Sequence, residues 1–188
     1  MRSPKIRTIV ILAAILLLGT ISTLAMAIRS PYDAYQITWP EIGALPHEEA
    51  IVLFADQEGQ LLKQARVTQH QKGGIYYVPW ELLIDPLMPK NTSSIYLVHN
   101  HPSGNPTLSQ PDIELGSFWT YEALQKGIQF DLLAITANNG YTSLVETGRL
   151  LSKEELTQSN SGYLSYVVRP GIKILGSGFA KIFADSAK

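Results

Sequence analysis

The apolar run Ile95-Tyr96-Leu97-Val98 ends in His99-Asn100-His101, and after Pro102-Ser103-Gly104 the chain reaches Ser109-Gln110-Pro111-Asp112. That string dictates a strand, a turn and a helix start in that order. Side chains alternate along a strand, so His99 and His101 share one side and Asn100 takes the other. A carboxylate arriving from the next element, Asp112, gives three protein ligands, a set that suits zinc and leaves the fourth tetrahedral position to water. An open position implies catalysis rather than a purely structural metal.

Part of this string has a simpler explanation. Ser109 is a good N-cap, Pro111 is tolerated in a first helical turn, and Asp112 is favoured near the positive end of the helix dipole. Capping accounts for Ser109 and Asp112. It does not account for two imidazoles, the commonest metal ligands, converging on the same helix start. The candidate metal ligands are therefore His99, His101 and Asp112.

The segment from His99 to Asp112 resembles the JAB/MPN-type (JAMM) metallopeptidase signature, H-x-H-x7-S-x2-D, and its HNHPSG wording is similar to the RadC-like branch. Gly140-Tyr141-Thr142-Ser143-Leu144-Val145-Glu146-Thr147-Gly148 likewise resembles the G-Y-x-S-x-x-E-x-G segment of RadC-like chains. The resemblance runs from about Tyr35 to Leu151. It implies an α+β fold of the JAB/MPN (cytidine-deaminase-like) kind, a curved mixed sheet flanked by helices. It also implies a glutamate ahead of the histidines: Glu48-Glu49-Ala50-Ile51-Val52-Leu53-Phe54 resembles the strand that carries the family's active-site glutamate, and the register selects Glu48, with Glu49 as the alternative. Under this resemblance zinc activates a water, Glu48 moves the proton, and the Ser109 hydroxyl meets the oxyanion. Asn100, turned away from the metal, is expected to brace a loop. Two departures stand out. RadC-like chains carry Asp-His where this one has Asp131-Leu132, and their helical N-terminal domain is not expected here.

With 188 residues, a formal net charge of −1 and no basic cluster beyond the first residues, the chain has material for one domain of ordinary size and lacks the electrostatic footprint of a nucleic-acid binder. No nucleic-acid partner is expected. The absence of cysteine excludes disulfides and Cys-ligated zinc. Arg2, Lys5 and Arg7 precede an uncharged apolar run over residues 8–28, followed by Arg29. Its length, near the roughly 20 residues that cross a bilayer, suggests a membrane anchor in residues 1–29 with the domain on the extracytoplasmic side. Ala25-Met26-Ala27 also has the form of a signal-peptide site, giving a secreted protein after cleavage following Ala27.

Residues 30–46, punctuated by Pro31, Pro40, Gly43 and Pro46, read as a linker, and the domain is expected over residues 47–151. Strands are expected at 50–55, 61–67, 76–78 and 95–101, a short helix at 79–87, and a longer one at 110–126 closed by Gly127. A strand pair at 130–136 and 141–146 turns at Asn138-Asn139-Gly140. Residues 152–188 read as a helical extension with an apolar face at Ile172, Leu175, Phe179, Ile182 and Phe183.

Two functions follow from these residues. The first is a zinc-dependent hydrolase acting on a peptide or protein substrate. The second is a non-catalytic, zinc-containing interaction scaffold, which has no need of an oxyanion donor. A nucleic-acid-processing metalloenzyme ranks behind both.

Overall fold

A computed structural model describes residues 26–67, 80–138 and 140–158. The expected strand at 76–78, the Asn139 turn position, most of the apolar N-terminus and the apolar face of residues 172–183 lie outside the described residues.

In chain order the elements are α1 (Pro31–Ile42), β1 (Ala50–Ala55), β2 (Leu61–Val67), α2 (Trp80–Leu83), β3 (Ser94–Asn100), α3 (Gln110–Gln125), β4 (Gln129–Ile135), β5 (Tyr141–Ser143) and α4 (Lys153–Gln158). The five strands form one mixed sheet in the order β2-β1-β3-β4-β5. β3 and β4 run parallel, and the other neighbours are antiparallel. A parallel pair needs a crossover long enough to return to the starting edge, and α3 supplies it. The centre of the sheet is buried on both sides, which explains why β1 is apolar at every position rather than alternating.

Alternation then sorts the side chains. Ala50, Val52 and Phe54 of β1, Ile95 and Leu97 of β3, and Leu132 and Ala134 of β4 pack with Ile113, Trp119 and Ala123 of α3. Ile51, Leu53, Val98, Leu133 and Ile135 face the opposite way, against Ile28 and against Ala34, Tyr35 and Ile42 of α1. Gly116 lets α3 press on the sheet: a Cβ there would sit 2.5 Å from Leu144 Cδ2 and 3.1 Å from Leu132 Cβ. Gly127, at φ +71°, ends the helix in the left-handed region, where glycine carries no Cβ penalty.

Two expectations are corrected here. Residues 30–46 are not a linker. Ser30 caps α1, its hydroxyl accepting from Asp33 N at 3.2 Å, and Pro31 occupies the first turn, where a missing N–H costs nothing. Pro40 falls in the last turn, so the prolines that look like punctuation fit one helix. The domain accordingly starts well before residue 47.

The membrane span over residues 8–28, with the extracytoplasmic or secreted placement drawn from it, is also overturned. Its last residues belong to the fold. Ala27 bridges Gln60, Leu61 N donates to Met26 O at 3.0 Å, and Ile28 is buried in the core beneath α1. Among the described residues no helix is long and apolar enough to cross a membrane.

The loop after β5 is organised by a buried carboxylate. Asp131 accepts hydrogen bonds from the Ser143 hydroxyl and, at 3.1 Å, from Val145 N, and Glu146 N in turn donates to Ser143 Oγ. Burial raises Asp131 to about 6, against the opposing pull of these donors. A carboxyl raised in the folded state stabilises the protein below its unfolded value near 3.8, and that contribution is lost as pH climbs through about 6. In the metal-free protein, unfolding free energies at pH 4.5 and 7.5 should show the wild type losing on the order of 2 kcal/mol more than Asp131→Asn as pH rises. Equal pH dependence in both proteins would contradict this.

Candidate metal centre

The parallel ladder places the two histidines. His101 N donates to Ile135 O at 2.8 Å, extending the β3–β4 pairing beyond the strand and keeping His101 in phase with His99. The chain then turns: Gly104 takes φ +78° and its N–H returns to His101 O at 3.1 Å. His101 Nδ1 donates to the Asn105 carbonyl at 2.9 Å, which leaves Nε2 facing Asp112: Nε2 donates there while the imidazole is protonated and offers its lone pair once that proton is lost. The loop delivers the chain to α3, whose first turn brings in Asp112.

His99 Nε2 and His101 Nε2 stand 2.9 Å apart, with Asp112 Oδ1 3.3 Å from the first and Oδ2 3.5 Å from the second. One ligand atom from each residue lies within 4.8 Å of the others. Three electron-pair donors converging this closely, two imidazole and one carboxylate, fit a divalent metal ion. The electrostatics agree. Burial opposes ionisation of Asp112, yet the hydrogen bonds from His101, His99 and Ser109 hold its carboxyl well below the usual range. The bond to Asp112 raises His101, with burial working against it and the Asn105 carbonyl and the charge of Glu48 adding to it. His99 is buried, and its Nδ1 has no hydrogen-bond partner among the described residues.

Ser109 and Asp112 close a reciprocal capping box. Asp112 N donates to Ser109 Oγ at 3.3 Å, while Asp112 Oδ2 accepts from Ser109 N at 2.7 Å and from the Ser109 hydroxyl. The hydroxyl expected to meet an oxyanion is thus engaged with the candidate ligand itself. Local helix capping aims the carboxylate before any metal arrives.

The two glutamates separate by strand phase. Ala50 pairs with His99 across the β1–β3 ladder, and Glu48 is in phase with Ala50, on the side of the histidines. It is half-buried. Glu49 faces the other way and is buried, its carboxylate 3.0 Å from both Arg66 and His47 Nε2. Asn100, fully buried, accepts from Glu49 N at 2.7 Å and donates to Leu45 O and His47 O at 3.2 and 2.9 Å.

A family model for the RadC-like JAB domain matches residues 28–149. The chain belongs to the RadC-like JAB domain family. A UPF0758 protein of Methanosarcina mazei is 31% identical over 121 residues, covering 64% of this chain and 52% of that relative. One from Halalkalibacterium halodurans is 31% identical over 127 residues, covering 65% and 53%. One from Flavobacterium johnsoniae is 37% identical over 90 residues, covering 47% and 38%. The chain spans about half the length of the first two of these relatives. The match to the RadC-like JAB domain begins at Ile28, the residue that enters the core ahead of α1.

Sequence reading misses four contributors around the centre. The Asn105 carbonyl that orients His101 is a backbone group, which no residue pattern reveals. Arg66 and His47 hold Glu49; a cation closing β2 opposite an acidic pair is the only available hint. Trp39 Nε1 donates to Thr136 O at 3.0 Å, tying α1 to the β4–β5 turn beside the metal loop.

Titration of the metal-free protein with Zn2+ or Co2+ should show one site per chain, lost in His99→Ala and His101→Ala. Ser109→Ala should keep the site but weaken it by about 10–100-fold, the usual effect of removing a group that orients a ligand. The lost cap should cost about 1 kcal/mol in a thermal or denaturant melt. Unchanged affinity in all three variants would eliminate this centre.

Proposed function

We propose that this chain is a zinc-dependent hydrolase of the JAMM type that cleaves an amide bond in a peptide or protein substrate. The observation that carries the reading is the convergence of His99 Nε2, His101 Nε2 and the Asp112 carboxylate at the end of β3, with Glu48 two residues ahead of the neighbouring strand and in phase with Ala50. His99, His101 and Asp112 would hold the ion, and three such ligands leave one tetrahedral position open. A zinc ion so bound supplies a Lewis acid and lowers the pKa of a bound water toward about 7.

The remaining steps belong to the protein. Glu48 accepts the proton of the attacking water and passes it to the leaving amine, which requires a carboxylate beside the ligands rather than among them. Ser109 has one hydroxyl proton and two tasks. It aims Asp112, and by rotating away it can donate to the developing oxyanion while Ser109 N keeps hold of Asp112 Oδ2 at 2.7 Å. Asp112 is therefore not released when the hydroxyl turns.

Turnover of the zinc-loaded protein on peptides and isopeptide-linked conjugates tests this. Glu48→Gln should retain zinc and lose about 10²–10⁴ in rate. Ser109→Ala, assayed at saturating zinc, should lose about 10²–10³ if its hydroxyl meets the oxyanion. Should Glu49→Gln abolish activity while Glu48→Gln leaves it intact, the strand phase assigned here is wrong. A zinc-loaded wild type that hydrolyses nothing, yet binds a protein partner as well as both variants do, would replace this reading with the scaffold.

A further inference from the structure

β3 presents His99 and His101 on one side and Asn100 on the other. Asn100 is fully buried, and each polar atom of its amide is used. Its Oδ1 accepts from Glu49 N at 2.7 Å, and its Nδ2 donates to His47 O at 2.9 Å and Leu45 O at 3.2 Å. These three bonds grip the chain on both sides of Glu48. The ladder supports the same place, since Asn100 N donates to Glu49 O at 3.1 Å. On the far side, Arg66 reaches Glu49 Oε2 at 3.0 Å and Glu41 Oε2 at 3.1 Å, and His47 Nε2 is 3.0 Å from Glu49 Oε1. The residues flanking Glu48 are tied down by backbone and side chain together.

The consequence follows from strand geometry. The Asn100 N–Glu49 O bond carries the extended pairing one residue past the start of β1, so with Glu49 fixed beneath the sheet Glu48 takes the opposite side, in phase with Ala50. A loop of this length held only by its ends would let Glu48 sample many positions. Efficient proton transfer needs the base within hydrogen-bond reach of the water, and small displacements of positioning groups can cost large factors in rate.

The geometry points to Asn100 as the positioning residue for Glu48, assisted by Arg66 through Glu49, so that one strand holds the metal ligands on one face and the base from the other. This assignment rests on the hydrolase reading for its kinetic consequence, though not for its structural one.

The test is a double-mutant cycle on the full chain loaded with Co2+, whose visible absorption reports groups close to the metal. Glu48→Gln should shift the cobalt bands. Asn100→Ala should shift them as well, yet add nothing in a Glu48→Gln background, because Asn100 acts only through Glu48. Turnover should follow the same logic: Asn100→Ala lowers kcat by about tenfold or more with KM nearly unchanged, and the double variant is no slower than Glu48→Gln alone. Amide exchange at Glu49 should accelerate in Asn100→Ala.

An Asn100→Ala spectrum identical to wild type overturns the proposal. So does a shift that persists undiminished in the Glu48→Gln background, since Asn100 would then be acting directly on His99 and His101. If Asn100→Ala does not fold, Arg66→Gln, a partly exposed position, takes its place; it should give a smaller shift that also vanishes with Glu48→Gln, and no shift overturns the proposal. Full spectral coupling with no turnover on any substrate would sink the hydrolase reading and leave the positioning intact, whereas a silent Glu48→Gln spectrum would sink the positioning itself.

Discussion

The reciprocal bond between Ser109 and Asp112 is the constraint on which the site depends. A helix start leaves N–H groups without intrahelical partners, and these two residues satisfy two of them in a capping box. The same geometry fixes the Asp112 carboxylate against two imidazole nitrogens at 3.3 and 3.5 Å. Helix capping and ligand orientation are therefore one interaction. A carboxylate held by a backbone N–H and a hydroxyl has little freedom to lose when an ion arrives, and affinity gains accordingly.

Around that bond, each surrounding element has a defined task. The parallel β3–β4 pair carries His101 past the end of the strand. The Asn105 carbonyl sets its protonation, and the turn at Gly104 returns the chain toward α3. α1, which continues from the core residue Ile28, covers the opposite face, so that Asn100 and Glu49 lie within the protein. The two faces of β3 thus have different chemistry, candidate metal ligands on one and amide bracing on the other, joined by the rigidity of the sheet.

Much of this was legible in the sequence because it rests on alternation and local capping. β1 and β2 fall at the expected residues, and α3 runs from the Ser109 cap to the Gly127 stop. The juxtaposition of His99, His101 and Asp112 follows from one strand, one turn and one helix start, all local. What was not legible depended on tertiary context. Pro31 and Pro40 look like linker punctuation until the burial of Ala34, Tyr35 and Ile42 against the sheet shows a helix. Ile28 looks like the end of a membrane run until it is seen in the core. The Ser109 hydroxyl also has Asp112 as an acceptor, a bond that spacing alone does not reveal.

In the proposed centre two imidazoles and one carboxylate hold a metal and leave one coordination position open. X-ray absorption fine structure of the zinc-loaded protein measures that shell directly. The proposed centre should give about four nitrogen or oxygen neighbours at about 2.0–2.1 Å, with the outer-shell scattering of two imidazoles, and lose one imidazole in His101→Ala. A six-oxygen shell, or a shell with no imidazole scattering, would contradict it.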